Sequence, residues 1–173
     1  MKCAAVNKEL RRKKLYDTGM TVALARLSLY LDSVLSDKLG YTNTRIKQIH
    51  TSFNKVASDV NEGRRSIGEI MRFLADEYAV ELDMTHRIRP AWFKSDYVDG
   101  VYAAEDELTV VLIYVLMHQY KFSKEKCNNV MKGINYVAES VNRGFIKEDE
   151  IRQCLLDEEG LVSEKLQGGR RSG

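Results

Sequence analysis

Asn61-Glu62-Gly63 returns 81 residues later as Asn142-Arg143-Gly144. Sliding the chain along itself by that distance matches Leu27–Glu81 to Leu108–Val162 without a gap, with identical residues at 15 of 55 positions. The identities include Leu31/Leu112, Leu35/Leu116, Val56/Val137, Val60/Val141 and Leu74/Leu155. A match at one fixed spacing is the mark of an internal duplication.

Each copy reads as three helices. In the first, Leu24, Leu27, Leu31, Val34, Leu35 and Leu39 recur at steps of three and four, the spacing of one helix face, over about residues 7–39. Gly19 is expected to kink or divide that helix, since glycine is a poor helix former. Upstream of it the apolar spacing thins and reads as an arm or a frayed extension. Gly40 breaks the pattern, and Thr42 stands as an N-cap with Tyr41 and Ile46 spaced as a hydrophobic staple. The second copy places Phe122, Ser123 and Cys127 at the same points.

Ile46, Ile49, Phe53, Val56 and Val60 then form an apolar stripe over 43–62, and Cys127, Val130, Ile134, Val137 and Val141 form its copy over 124–143. Gly63 and Gly144 supply the left-handed residue that closes a helix. Ser66-Ile67-Gly68-Glu69 fits a capping box for a short third helix, whereas Lys147 replaces the capping serine in the copy.

These readings predict an all-α protein. Two tandem three-helix repeats pack with approximate two-fold symmetry into one helical bundle. The expected divisions are a basic helical arm with the start of the first long helix (1–26), a first repeat (27–82), an aromatic connector (83–107), a second repeat (108–162) and a disordered tail (163–173). The connector holds the single proline, Pro90, and the single tryptophan, Trp92.

Composition bounds the chemistry. Apolar residues make up 44% and charged residues 30%, ordinary for a soluble globular chain. Three cysteines without CxxC spacing argue against a disulfide framework or a zinc site, and Cys127 and Cys154 read as small core residues. No apolar run approaches the ~20 residues that span a bilayer. No signal peptide is visible, and a cytoplasmic location is expected. The net charge of +2 is carried by the ends, with Lys8, Arg11, Arg12, Lys13 and Lys14 near the N-terminus, so the body is mildly acidic.

No catalytic motif is present, and neither a metal nor a cofactor is expected. Gly144 to Glu150 copies the second half of a calcium loop, but Val141 and Arg143 stand where a hard cation needs oxygens. A helix-turn-helix reading of 63–78 meets Glu69, Asp76 and Glu77 on the would-be recognition helix, which would repel phosphates. His50 reads as a partly buried core residue, and His118 as the end of an apolar helix.

Three candidate surfaces remain. Trp92, Phe93 and Tyr97 form a partner-binding patch, since aromatic residues dominate binding hot spots. Arg64 and Arg65, with Ser66 and Gly68, sit before a helix N-terminus, where cations and backbone N–H groups could converge on an anion. Arg11, Arg12, Lys13 and Lys14 form a basic arm suited to nucleic acid.

Asp37-Lys38-Leu39-Gly40-Tyr41-Thr42-Asn43-Thr44-Arg45-Ile46 resembles a pattern of small helical proteins encoded by phages and prophages of Gram-positive bacteria. Those carry Asp-x-Phe-Gly-Phe-Gly-x-x-Arg-Leu before a long helix, then a Glu-Gly break and a short acidic helix. Glu62-Gly63 and Leu74-Ala75-Asp76-Glu77-Tyr78 continue the likeness, while Lys121 and Ser123 replace both glycines in the second copy. The resemblance implies a phage or mobile-element context and no activity. The expected function is therefore a non-catalytic phage or mobile-element protein, monomer or homodimer, that engages a host or phage protein away from membranes. The alternatives are a nucleic-acid-binding regulator using the basic arm, and a binder of a small phosphorylated ligand at Arg64-Arg65.

Overall fold

The computed structural model describes residues 2–82 and 95–157. Its elements are α1 (Lys2–Asp37), α2 (Asn43–Asn61), α3 (Ile67–Tyr78), α4 (Asp96–Tyr114), α5 (Lys124–Asn142) and a final helix, α6, over 148–157. α4 runs on into a π-helical turn, Val115–Gln119. The described residues contain no strand, so the protein is all-α. Among them, no helix is long and apolar enough to cross a membrane.

The chain divides into two compact units, one drawn from Met1–Leu27 and Ile49–Cys127, the other from Ser28–Gln48 and Asn128–Gly173. The divisions fall inside α1, α2 and α5, so each unit takes residues from both of the sequence repeats. Trp92 and Phe93, the first part of the connector and the expected disordered tail lie outside the described residues. The second part of the connector, from Asp96 onward, is helical and belongs to α4.

In the first unit, Phe53 and Val56 of α2, Ile70 and Leu74 of α3, and the end of α4 make the core. Val110 through Met117 are all buried, the signature of a helix covered on every face. α1 meets α4 through two glycines. A Cβ added at Gly19 would collide with the Tyr97 carbonyl oxygen, and one added at Gly100 with that of Tyr16. In each case the glycine hydrogen on that side points at a carbonyl, a weak but recurring contact between helices in close approach. Gly19 therefore does not divide the first helix, which is continuous from Lys2 to Asp37. Its missing side chain lets two backbones approach, and tertiary packing outweighs its poor propensity.

In the second unit, Leu31, Val34 and Leu35 from the end of α1 and Ile46 from the start of α2 are buried, as are Val130, Ile134 and Val137 of α5 and Ile151 of α6. Gly133 of α5 faces the methyl groups of Val34, which a side chain there would crowd. Tyr30, itself buried, donates from its hydroxyl to Glu148 Oε1 at 3.1 Å.

Helix ends follow the local chemistry. Gly63 and Gly144 both have positive φ, 72° and 74°, as closing residues should. α3 opens with a full capping box: Glu69 N–H donates to Ser66 Oγ at 3.1 Å, and Ser66 N–H donates to Glu69 Oε2 at 2.9 Å. At Lys147 only half of that box survives, with its N–H donating to Glu150 Oε2 at 3.0 Å. Ser66→Ala is expected to cost about 1 kcal/mol in urea unfolding. The Glu69 carboxyl is held below its ordinary range, first by the hydrogen bond from the Ser66 N–H and then by the Ser66 side chain. Because its folded-state pKa is depressed, its stabilisation is present above 4.5 and lost as pH falls through the depressed value. The gap in stability between wild type and Glu69→Ala should accordingly close in acid.

Two further turns correspond. Gly40 has φ 61° and Lys121 has φ 56°. Each is followed by a residue whose N–H reaches back six positions, Tyr41 to the Leu35 carbonyl at 3.0 Å and Phe122 to the Leu116 carbonyl at 3.0 Å. That is the Schellman closure. Lysine is strained in this region where glycine is not, so Lys121→Gly is expected to raise stability by about 1 kcal/mol, read as a shift in denaturant midpoint. The ring after each turn also carries a cation. Arg45 lies 4.3 Å from the Tyr41 centroid and Lys126 lies 4.3 Å from the Phe122 centroid.

Candidate functional site

A groove in the first unit is the candidate site. Met20 and Leu24 of α1, Ala57 and Val60 of α2, Ile67 at the start of α3, and Leu108 and Val111 of α4 line a cavity of about 370 Å³. Most of these aliphatic side chains are half-buried, whereas Val111 is buried. Thr21, Asn54, Ser58, Asn61 and Glu107 add hydroxyl, carboxamide and carboxylate groups to the same lining. An apolar concave surface with a few fixed polar groups is how proteins commonly present a binding site. Asn61, the first residue of the repeated Asn-x-Gly, belongs to it.

The Gly19–Gly100 crossing fixes α1 against α4, and Met20 and Leu24 follow directly along α1. Ala104, buried, and Leu108 continue along α4 at the four-residue spacing of one helix face.

A second cluster forms where α3 meets the end of α4. The His118 imidazole stacks on Tyr114 with centroids 5.1 Å apart, and Phe73 meets Tyr114 and His118 edge-on at 5.5 and 4.9 Å. Arg65 closes it, donating from Nη1 to Tyr114 Oη at 2.9 Å, with its guanidinium 5.2 Å from the ring centroid. His118 lies in the π-helical turn, where Tyr120 N–H reaches the Val115 carbonyl at 3.2 Å.

The sequence-derived anion site is not assembled. Arg64 donates from Nε to Asp59 Oδ1 at 2.9 Å and also pairs with Glu62, while Arg65 turns to Tyr114. The hydrogen bond to Asp59 is the first cause that holds the Arg64 pKa above its ordinary value. The Ser66 N–H is already taken by the Glu69 carboxylate, so the helix N-terminus carries its own anion. Gly68 has open space where a side chain would stand, but nothing converges there. The acidic neighbours Asp59 and Glu62 hold Arg64, and Tyr114 takes Arg65.

Of the aromatic patch, only Tyr97 is described. It is half-buried in the first turn of α4, and its carbonyl faces Gly19. The residues exposed instead include Phe145 at 75%, Tyr136 at 64% and Leu10 at 60%. Arg11, Arg12, Lys13 and Lys14 are exposed on α1, and Arg12 Nε donates to Asp96 Oδ1 at 3.1 Å. Among the described residues, no group of three or more His, Cys, Asp or Glu is placed to hold a metal ion.

No family model, no curated protein and no solved structure matches the chain. The site therefore rests on its geometry.

The cysteines separate where the sequence had grouped them. Cys127 is buried, whereas Cys154 is exposed on α6 and is not a core residue. Arg152, Gln153, Leu156 and Asp157 are exposed as well, so α6 is covered mainly on its Ile151 side among the described residues. Burial pushes the Cys127 thiol up to about 11. In a Cys3→Ser background, a maleimide at mildly alkaline pH is expected to label Cys154 rapidly and Cys127 only on unfolding. Since the folded-state value of Cys127 is raised above 9.0, its contribution to stability is present below that pH and lost as pH climbs toward about 11.

Proposed function

We propose that the protein is a non-catalytic binding protein, of phage or mobile-element origin, that takes a segment of a protein partner into the groove between α1, α2 and α4. The observation that carries this reading is the preformed cavity of about 370 Å³, with Met20, Leu24, Val60 and Leu108 half-buried along it and Glu107 and Asn61 beside them. Aliphatic side chains held half-buried in a concave surface gain by being covered, at roughly 25 cal/mol per Å² of apolar area. Glu107 favours a segment that carries a cation next to its apolar anchors. The phage context is supported by the likeness of the 37–46 stretch alone.

The proposal also treats the chain as two copies of one three-helix unit. Supporting it, α2 and α5 are both 19 residues long and begin and end 81 residues apart. The positive-φ pairs Gly40/Lys121 and Gly63/Gly144, and the ring–cation pairs Tyr41/Arg45 and Phe122/Lys126, keep that spacing. Arg64-Arg65 became Phe145-Ile146 and Gly40 became Lys121, so the copies share a scaffold but not a surface.

The test is capture of a polypeptide from a bacterial lysate by wild type, by Leu108→Glu and by Phe145→Ala. Wild type and Phe145→Ala should retain the same stoichiometric polypeptide. Leu108→Glu should lose it while its helical circular dichroism stays intact. Retention by a folded Leu108→Glu protein would remove the groove from the reading.

A further inference from the structure

We propose that the exposed basic stretch Lys8–Lys14 of α1 binds double-stranded DNA through its phosphates. Lys8, Arg11, Arg12, Lys13 and Lys14 crowd into seven residues against one acid, Glu9, and all are exposed. They stand on a continuous helix, not on the frayed arm that the thinning apolar pattern suggested. The basic segment therefore meets a ligand already ordered, without the entropy cost of folding on binding.

The distribution of charge around the helix selects the partner. Successive residues of an α-helix step by about 100°, so Arg11, Arg12, Lys13 and Lys14 together fan around about 300° of the helix. Leu10 and Leu15 are both exposed, at 60% and 42%, yet lie about 140° apart and make no single apolar face. A helix lying on a membrane needs such a face. An acidic protein would offer charge to one side. A helix seated in the major groove of a duplex has phosphates on both flanks, and its diameter of about 10–12 Å matches a groove about 12 Å wide.

The rest of the first unit orients this helix. Arg12 is tied to Asp96 in the first turn of α4, with Nε 3.1 Å from Oδ1, and Gly19 is locked against the Tyr97 carbonyl. The residues before Arg12 run past the start of α4, about 15 Å of helix. The Arg12–Asp96 pair partly spends the Arg12 charge, which leaves Lys8, Arg11, Lys13 and Lys14 as the phosphate contacts. The groove of the proposed protein partner lies further along the same helix, at Met20 and Leu24.

The experiment measures fluorescence anisotropy of a labelled random-sequence duplex of about 20 base pairs against the full-length protein. Four phosphate contacts predict a log–log salt slope of about −4, so affinity should fall about 10²-fold between about 50 and 200 mM salt. The triple variant Arg11→Gln, Lys13→Gln, Lys14→Gln should keep its helicity and Tm. Its affinity at low salt should fall at least tenfold, and the slope should shrink by about 3. No binding by wild type at about 50 mM salt, or equal affinity for the triple variant, would overturn the proposal. So would binding to phosphatidylserine vesicles with none to the duplex.

Discussion

Phe53→Ala is expected to lower stability by about 3–5 kcal/mol, a drop of roughly 6–20 °C in Tm for a chain of this length. Phe53 is 1% exposed and is the largest of the fully buried side chains. It stands in the middle of the α2 stripe, between Ile49 at 0% and Val56 at 3% exposure. Truncation removes the ring and leaves a cavity that helices fixed at both ends close only in part, so both the transfer and the cavity terms apply. Phe53→Leu fills most of that space and should cost well under half as much. Urea denaturation of the two variants checks the ordering. A Phe53→Ala loss below about 1 kcal/mol would mean that the stripe is not packed as described.

Gly19→Ala and Gly100→Ala are the second large effect, and the sign is the informative part. In an ordinary helix interior, alanine stabilises relative to glycine by about 1 kcal/mol. Here the new methyl group would meet a backbone carbonyl oxygen, Tyr97 for Gly19 and Tyr16 for Gly100, and a carbonyl cannot rotate away as a side chain can. Each change should therefore destabilise, by about 1–3 kcal/mol, as overpacking does. Gly68→Ala is the control. Nothing lies within 4 Å of its would-be Cβ, and it sits inside α3, so it should stabilise by up to about 1 kcal/mol. Thermal unfolding of the three variants side by side decides the matter. If Gly19→Ala and Gly68→Ala shift Tm in the same direction, the α1–α4 contact is looser than described.

Those two positions also mark the boundary of what the sequence could disclose. The stripes from Ile46 to Val60 and from Cys127 to Val141 were legible because helical period is a local property that marks the buried face. Helix closures at Gly63 and Gly144, and the capping box at Ser66, were legible for the same reason. Gly19 was misread as a break because its meaning lies in Tyr97, far along the chain. Gly19 carried a usable signal, since a glycine inside a helical pattern commonly has a packing reason, whereas Asp99-Gly100 reads as a turn and hid its partner. The groove could not be read at all, since Leu24, Val60 and Leu108 look like core positions until the helices are placed. Cys154 followed the apolar spacing yet is exposed, because α6 is short and its Cys154 side is left uncovered among the described residues. That Arg64 pairs with Asp59 and Glu62 while Arg65 turns to Tyr114 could not be read from the stretch itself, since Tyr114 lies 49 residues away.

Lys121 shows what holds such a turn in place. It holds the left-handed backbone that Gly40 adopts freely, with φ 56° against 61°. Lysine lacks the freedom that makes this bend easy for glycine, yet the bend forms, so the two helices it joins must be what imposes it. A corner enforced from outside can change its own letters without moving. A sequence pattern that required glycine at such a corner would miss the bend at Lys121, whereas one built on the spacing of the buried faces would not depend on it.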